Sequence, residues 1–170
     1  NDYTATDNVF VNARSSSFGK HYAAYFGTTS GTITANYNNY YASGTGGTLG
    51  YYSAADKTSL PIVTGQDVNS LAHDPQFVNA GGTTAANYKL GNNLLSGAGV
   101  TVSGITTDYD GVYLRPNPPT PGAIEFNNPL PVELASFRGQ ATGNSVLLHW
   151  LAVTETQNYG FDIERRLKSD

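Results

Sequence analysis

Asp108 and Asp110 stand two residues apart in the run DYDG, with Glu125 further on, and clustered carboxylate oxygens of this kind are what a hard cation such as calcium takes as ligands. The same four letters also spell a turn, in which Asp side chains accept backbone N–H groups and Arg115 pairs with one of them. The turn is the expectation carried forward, with calcium at Asp108 and Asp110 as its alternative. His73 beside Asp74 could serve as a base and its orienter, but neighbours on a strand point to opposite faces and Asp before Pro opens a turn. His21 and His149 belong to no nucleophile motif, since the chain contains neither G-x-S-x-G nor H-E-x-x-H. No catalytic residue is therefore expected, which leaves recognition as the chemistry to look for. Tyr37, Tyr40, Tyr41, Tyr51 and Tyr52 could stack flat ring faces on sugars; they could equally fill a half-buried ladder, rings packed and hydroxyls wet.

The elements that must position these side chains are strands. Gly, Ser, Thr, Asn and Tyr dominate the 170 residues, only 13% are charged, and apolar residues nowhere keep helical spacing for more than about two turns. An all-β chain is expected. Nine basic residues are scattered, with Arg165 and Arg166 their one doublet, and the net charge is −4. A nucleic-acid groove needs a clustered basic stripe to hold phosphates, so that class is excluded. Cysteine is absent, which removes disulfides, thiolate metal sites and cysteine nucleophiles together. Methionine is absent too, so residue 1 is not expected to be a translational start, and a processed chain or a fragment is expected. The densest apolar run, VLLHWLAV from Val146 to Val153, falls far short of the roughly twenty residues that cross a bilayer. No membrane span is expected, and a soluble or surface-displayed protein is.

From Asn1 to Phe126 the chain strings together short β-prone runs such as NVFVNA, GTITANYNNYY and GVTVSGI, separated by Gly, Asn, Ser and Asp. Each is too short to bury a core alone, so neighbouring runs must stack, as they do in a coil of short parallel strands. FVNA occurs at Phe10–Ala13 and again at Phe77–Ala80, which would suit about three turns of roughly 20–25 residues. The stretches SLPIVTGQDVNSLAHDPQFVNA, NYKLGNNLLSGAGV and TTDYDGVYLRPNPPTPGAIEF, taken in order, resemble the last turns of right-handed parallel β-helix proteins; YNNYYASG fits the same pattern. The resemblance covers roughly residues 65–126. It implies a β-helix domain over 1–126, closed by the Pro-rich RPNPPTPG, since proline removes ladder donors and blunts an open edge. Many parallel β-helices are pectate lyases or related polysaccharide-degrading enzymes that use Asp-bound calcium in mid-coil grooves. The segments matched here are closing turns, and no catalytic residue carries over.

Residues 127–170 open with NNPLPVELASFRGQA, which resembles the linker and first strand of a fibronectin type III-like module in large secreted Bacteroidetes proteins. Those proteins are exported by type IX secretion, so the resemblance implies an extracellular or outer-surface location. Three strands are expected in this partial β-sandwich. Val132 and Leu134 begin the first, where Phe137 falls out of alternation and indicates a bulge; Val146, Leu148 and Trp150 share one face of the second; Phe161 and Ile163 share one face of the third. Such a sandwich needs about seven strands. Covering the apolar residues of the second and third strands would contribute roughly 1.5–3 kcal/mol each, on the order of 10 kcal/mol together, against the ~5–15 kcal/mol of a whole domain. The eight apolar positions Val132, Leu134, Phe137, Val146, Leu148, Trp150, Phe161 and Ile163 are therefore expected to form an assembly interface with a neighbouring copy, built head-to-tail into a filament. The expected function is that of an extracellular structural or adhesive protein. The alternative is a carbohydrate-binding or polysaccharide-cleaving module of a larger secreted enzyme.

Overall fold

Short strands broken by left-handed residues set the architecture. The computed structural model describes residues 2–27, 30–111, 114–126, 134–153 and 161–163. The chain divides into two compact units, Asn1–Asn127 and Asn128–Asp170. Unit 1 contains β1 (Tyr3–Thr6), β2 (Val9–Asn12), β3 (His21–Phe26), β4 (Ile33–Asn36), β5 (Asn39–Ala42), β6 (Gly47–Tyr52) and β7 (Ala55–Lys57); unit 2 contains β8 (Leu134–Thr142) and β9 (Ser145–Ala152). The described residues hold two 3-10 turns, Ala85–Tyr88 and Asn93–Leu95, and no α-helix. The protein is all-β.

The first three strands are repeated by the next three, each pair parallel: β1 with β4, β2 with β5, β3 with β6. Ala5 lies opposite Ala35 and Phe10 opposite Tyr40, thirty residues on, while Tyr25 lies opposite Tyr51. The corner between the first two strands of each layer is a residue in the left-handed region, Asp7 (φ 63°) and Tyr37 (φ 57°). A third layer begins where the Asp67 and Leu71 N–H groups donate to the Ala35 and Asn38 carbonyls, both at 2.7 Å. Polar side chains stack in the same register. The Asn8 N–H donates to Asn38 Oδ1 and the Asn38 N–H to Ser70 Oγ, so corner amides left outside the ladders are satisfied by the layer beyond.

The interior is small. Tyr40, Ile62 and Val63 form its buried centre, with Phe10, Phe26, Leu49 and Tyr52 packed around them. Gly50 makes room for this centre, since a Cβ there would lie 2.7 Å from Ile62 Cγ2. Asp67 stitches the third layer to it. One carboxylate oxygen accepts from the Tyr40 and Ser70 hydroxyls at 3.1 and 2.9 Å, the other from the Ile62 N–H at 3.1 Å.

Two sequence expectations are corrected here. The first two strands of a layer recur after thirty residues and the third after 26, not after 20–25, and the second FVNA is not a strand: the Val78 and Asn79 N–H groups bond the Lys89 and Asn87 carbonyls instead. GVTVSGI holds no strand either; its Gly99 and Val100 N–H groups donate to the Pro119 carbonyl and to Asp7 Oδ1. The Pro-rich stretch reaches the first layer as well as the Gly99–Thr101 segment. The Gly122 N–H donates to the Asp7 carbonyl at 2.9 Å and Arg115 Nη2 to Asp7 Oδ2 at 2.7 Å, because the buried, left-handed Asp7 needs donors that no strand supplies.

The described residues of unit 2 form an antiparallel hairpin. Gly143 (φ 59°) takes the left-handed position of its two-residue turn, and the register shifts between Leu134 and Ser136, where the alternation of Phe137 called for a bulge. Phe137 opposes Trp150, Gly139 opposes Leu148 and Ala141 opposes Val146, so these six share one face. Phe161–Ile163 carry no strand, and the Phe161 ring leans on Trp150 at 5.6 Å. Val132 lies outside the described residues.

Candidate functional site

β3 and β6 bring three tyrosines to one patch of surface. Their register sets Tyr25 and Tyr51 side by side, with ring centroids 4.6 Å apart and planes 6° from parallel. Tyr22 tilts against both, at 5.5 and 5.6 Å. Its hydroxyl donates to Asp56 Oδ1 at 2.6 Å, and Asp56, on β7 opposite Tyr51, also pairs with Lys20 at 3.6 Å. Hydrogen bonding to that carboxylate, then burial and the carboxylate's charge, push the Tyr22 phenol up to about 12. Tyr25 is 62% exposed, and its ring passes over Gly27, where a Cβ would lie 2.8 Å from Tyr25 Cε1. The arrangement is a fixed aromatic cluster edged by one carboxylate and one ammonium.

Of the five tyrosines singled out in the sequence, only Tyr51 belongs to this cluster. Tyr40 cannot meet a ligand: it is fully buried, stacked on Phe10 at 5.3 Å, with its hydroxyl donating to Asp67. Burial, then the Asp67 charge, raise its phenol. Tyr52 is half-buried, packed against the core. Tyr37 occupies the left-handed corner beside a hollow lined by Asn69, Val100 and Pro118, and Tyr41 is half-buried, its phenol raised by burial and by its bond to Asp74. Tyr22 and Tyr25 were missed. The signal lay in the match of HYAAYF to GTLGYY across the layers, where an aromatic pair ends each run.

The acidic candidates part company. DYDG is a turn, with the Gly111 N–H donating to the Asp108 carbonyl at 3.0 Å; Asp108 is buried and Asp110 exposed. Arg115 does not pair within that turn as expected. It bridges Asp7 at 2.7 Å and Glu125 at 3.2 Å, and donates to the Gly122 and Thr120 carbonyls as well. The reason is reach: the guanidinium fork satisfies two buried carboxylates and two carbonyls at once. Burial raises both the Asp7 and Glu125 carboxyls, with Arg115 opposing the shift. This cluster borders a cavity of about 990 Å³ lined also by Phe77, Tyr88, Val102 and Ile105. Among the described residues no three His, Asp or Glu side chains gather as metal ligands. His73 and Asn39 exchange backbone-to-side-chain bonds, and Asp74 Oδ1 accepts from the Gln76 N–H, the turn expected before Pro75.

In unit 2 the apolar face is open. Phe137, Val146 and Leu134 are exposed, Trp150 is 39% exposed and Leu148 half-buried; Ile163 is exposed beyond them. No protein-family model matches the chain, and no curated protein or solved structure is significantly similar to it.

Proposed function

We propose that the protein is an extracellular structural or adhesive surface element. Its first unit is a stretch of right-handed parallel β-helix, and its second the opening hairpin of a fibronectin type III-like module through which copies associate head-to-tail. Parallel pairing of three successive strands with the next three supports the helical reading, because a coil is the simplest path that stacks short strands in this way. The outer-surface location rests on the resemblance of NNPLPVELASFRGQA to linkers of secreted proteins. One observation carries the association. A two-stranded hairpin alone is marginal in water, yet this one turns Phe137, Val146, Leu148 and Trp150 to a single face on which Phe137, Val146 and Trp150 stand exposed.

Sedimentation velocity and electron microscopy of the full chain test this. Wild type should form polymers that lengthen with concentration, and Trp150→Glu with Leu148→Glu should sediment as a monomer. A wild-type chain that stays monomeric across the accessible concentration range refutes the association.

A further inference from the structure

Two buried carboxylates share one guanidinium in unit 1. Arg115 lies 2.7 Å from Asp7 Oδ2 and 3.2 Å from Glu125 Oε1, and no side chain of the three is more than 10% exposed. With all three ionised the cluster sums to −1, from two carboxylates and one guanidinium. The adjoining cavity brings Asp108, Tyr88 and Tyr109 to the same side and, among the described residues, no second cation. A buried charge without a counter-charge is costly, and one proton on the carboxylate pair balances it. Glu125 Oε1 can take that proton without giving up a bond. Both Asp7 oxygens accept, from the Val100 N–H and from Arg115, and Glu125 Oε2 accepts from the Thr120 N–H, whereas Glu125 Oε1 accepts no hydrogen bond among the described residues.

The cluster joins parts of the chain that are far apart in sequence. Asp7 sits at the first-layer corner between β1 and β2, and the Val100 N–H, Arg115 Nη2 and the Gly122 N–H all end on it. Arg115 and Glu125 both belong to the Pro-rich segment 114–126, where Arg115 also holds the Thr120 and Gly122 carbonyls. We propose that Asp7, Arg115 and Glu125 form a proton-operated latch: with one proton on Glu125 the trio is neutral and segment 114–126 is held on the first layer, and loss of that proton releases it. Burial raises both carboxyls, so the folded chain keeps the proton where the unfolded chain has lost it. The latch is therefore closed below the ordinary carboxylate range and opens as pH rises through the raised values. Release uncovers Val9, on which Gly122 sits, and the buried Ile124. The paired strands β1 to β6 stay in place, since none of the three groups belongs to their ladders.

Hydrogen–deuterium exchange of the full chain, read by mass spectrometry and corrected for the intrinsic pH dependence of exchange, tests the latch. Peptides covering residues 114–126 should lose protection as pH rises from about 4 to about 8, approaching tenfold per pH unit where the latch proton titrates. Peptides covering β4 and β5 should stay at least tenfold better protected than these at every pH, which marks the opening as local. Glu125→Gln and Asp7→Asn each leave one carboxylate for one guanidinium, so either should flatten the profile. Glu125→Gln should also leave segment 114–126 at least as protected as wild type at the upper end of the range. Wild-type protection of 114–126 that does not change with pH, a wild-type slope that persists in either variant, or β4 and β5 no better protected than 114–126 overturns the proposal.

Discussion

Removing the Asp67 carboxylate measures how far unit 1 depends on one buried polar hub. Asp67 is 4% exposed and accepts from the Tyr40 hydroxyl, the Ser70 hydroxyl and the Ile62 N–H. Asp67→Ala leaves those three donors buried without an acceptor, at ~1–3 kcal/mol each, so a loss of about 3–9 kcal/mol is expected from a total on the order of 5–15 kcal/mol. Asp67→Asn separates charge from geometry. Asn tolerates the left-handed backbone here (φ 59°) as Asp does, and its Oδ1 still accepts from the two hydroxyls. Its amide, however, faces the Ile62 N–H donor to donor, so about 1–3 kcal/mol is expected. Tyr40→Phe should be partly redundant with Asp67→Ala, because both delete the bond between the Tyr40 hydroxyl and Asp67, and a double-mutant cycle should show coupling. Urea unfolding followed by tyrosine near-ultraviolet circular dichroism is the assay. Trp150, the one tryptophan, lies in the hairpin, and its fluorescence follows that unit separately. An Asp67→Ala loss under about 1 kcal/mol, or strict additivity of Tyr40→Phe with Asp67→Ala, refutes the hub.

Gly50→Ala should cost about 1–3 kcal/mol by driving a Cβ into Ile62, whereas Gly139→Ala, whose Cβ would meet Leu148 at an ordinary 3.4 Å, should stay within about 0.5 kcal/mol; urea titrations of the two variants compare them. The Asp7 and Glu125 carboxyls are raised above their ordinary 3.8 and 4.5, so the folded chain holds these protons more tightly than the unfolded one. Their contribution to stability is complete below the ordinary carboxylate range and is lost as pH rises through the raised values. The urea midpoint should therefore climb as pH falls from neutral towards that range, and Asp7→Asn should flatten the climb. In a spectrophotometric titration Tyr22 should ionise late, near 12, and Asp56→Asn should bring that step down.

The all-β class was legible because Gly, Asn and Ser break up every apolar run, and the bulge was legible because Phe137 fails to alternate with Leu134. The repeat was harder to find. Its marks are Thr4-Ala5 with Asn8 and Phe10, and Thr34-Ala35 with Asn38 and Tyr40, a pattern set by buried alanines, an inter-layer amide bond and an aromatic stack. The literal FVNA match outweighed it, although the second copy sits in a loop. Exposure was misjudged at Tyr40 because nothing local distinguishes it from Tyr41; its burial depends on Asp67 and Ile62, brought in by a later layer. Arg115 found its partner 108 residues away in Asp7, a distance at which no spacing rule operates.

The apolar hairpin face contains the only tryptophan, so the emission of Trp150 reports directly on whether that face is covered. As concentration rises, the emission maximum of the full chain should move to shorter wavelength, and Leu148→Glu should hold it at the position of a water-exposed indole. A wild-type maximum that remains at that exposed position at every concentration contradicts association through the hairpin.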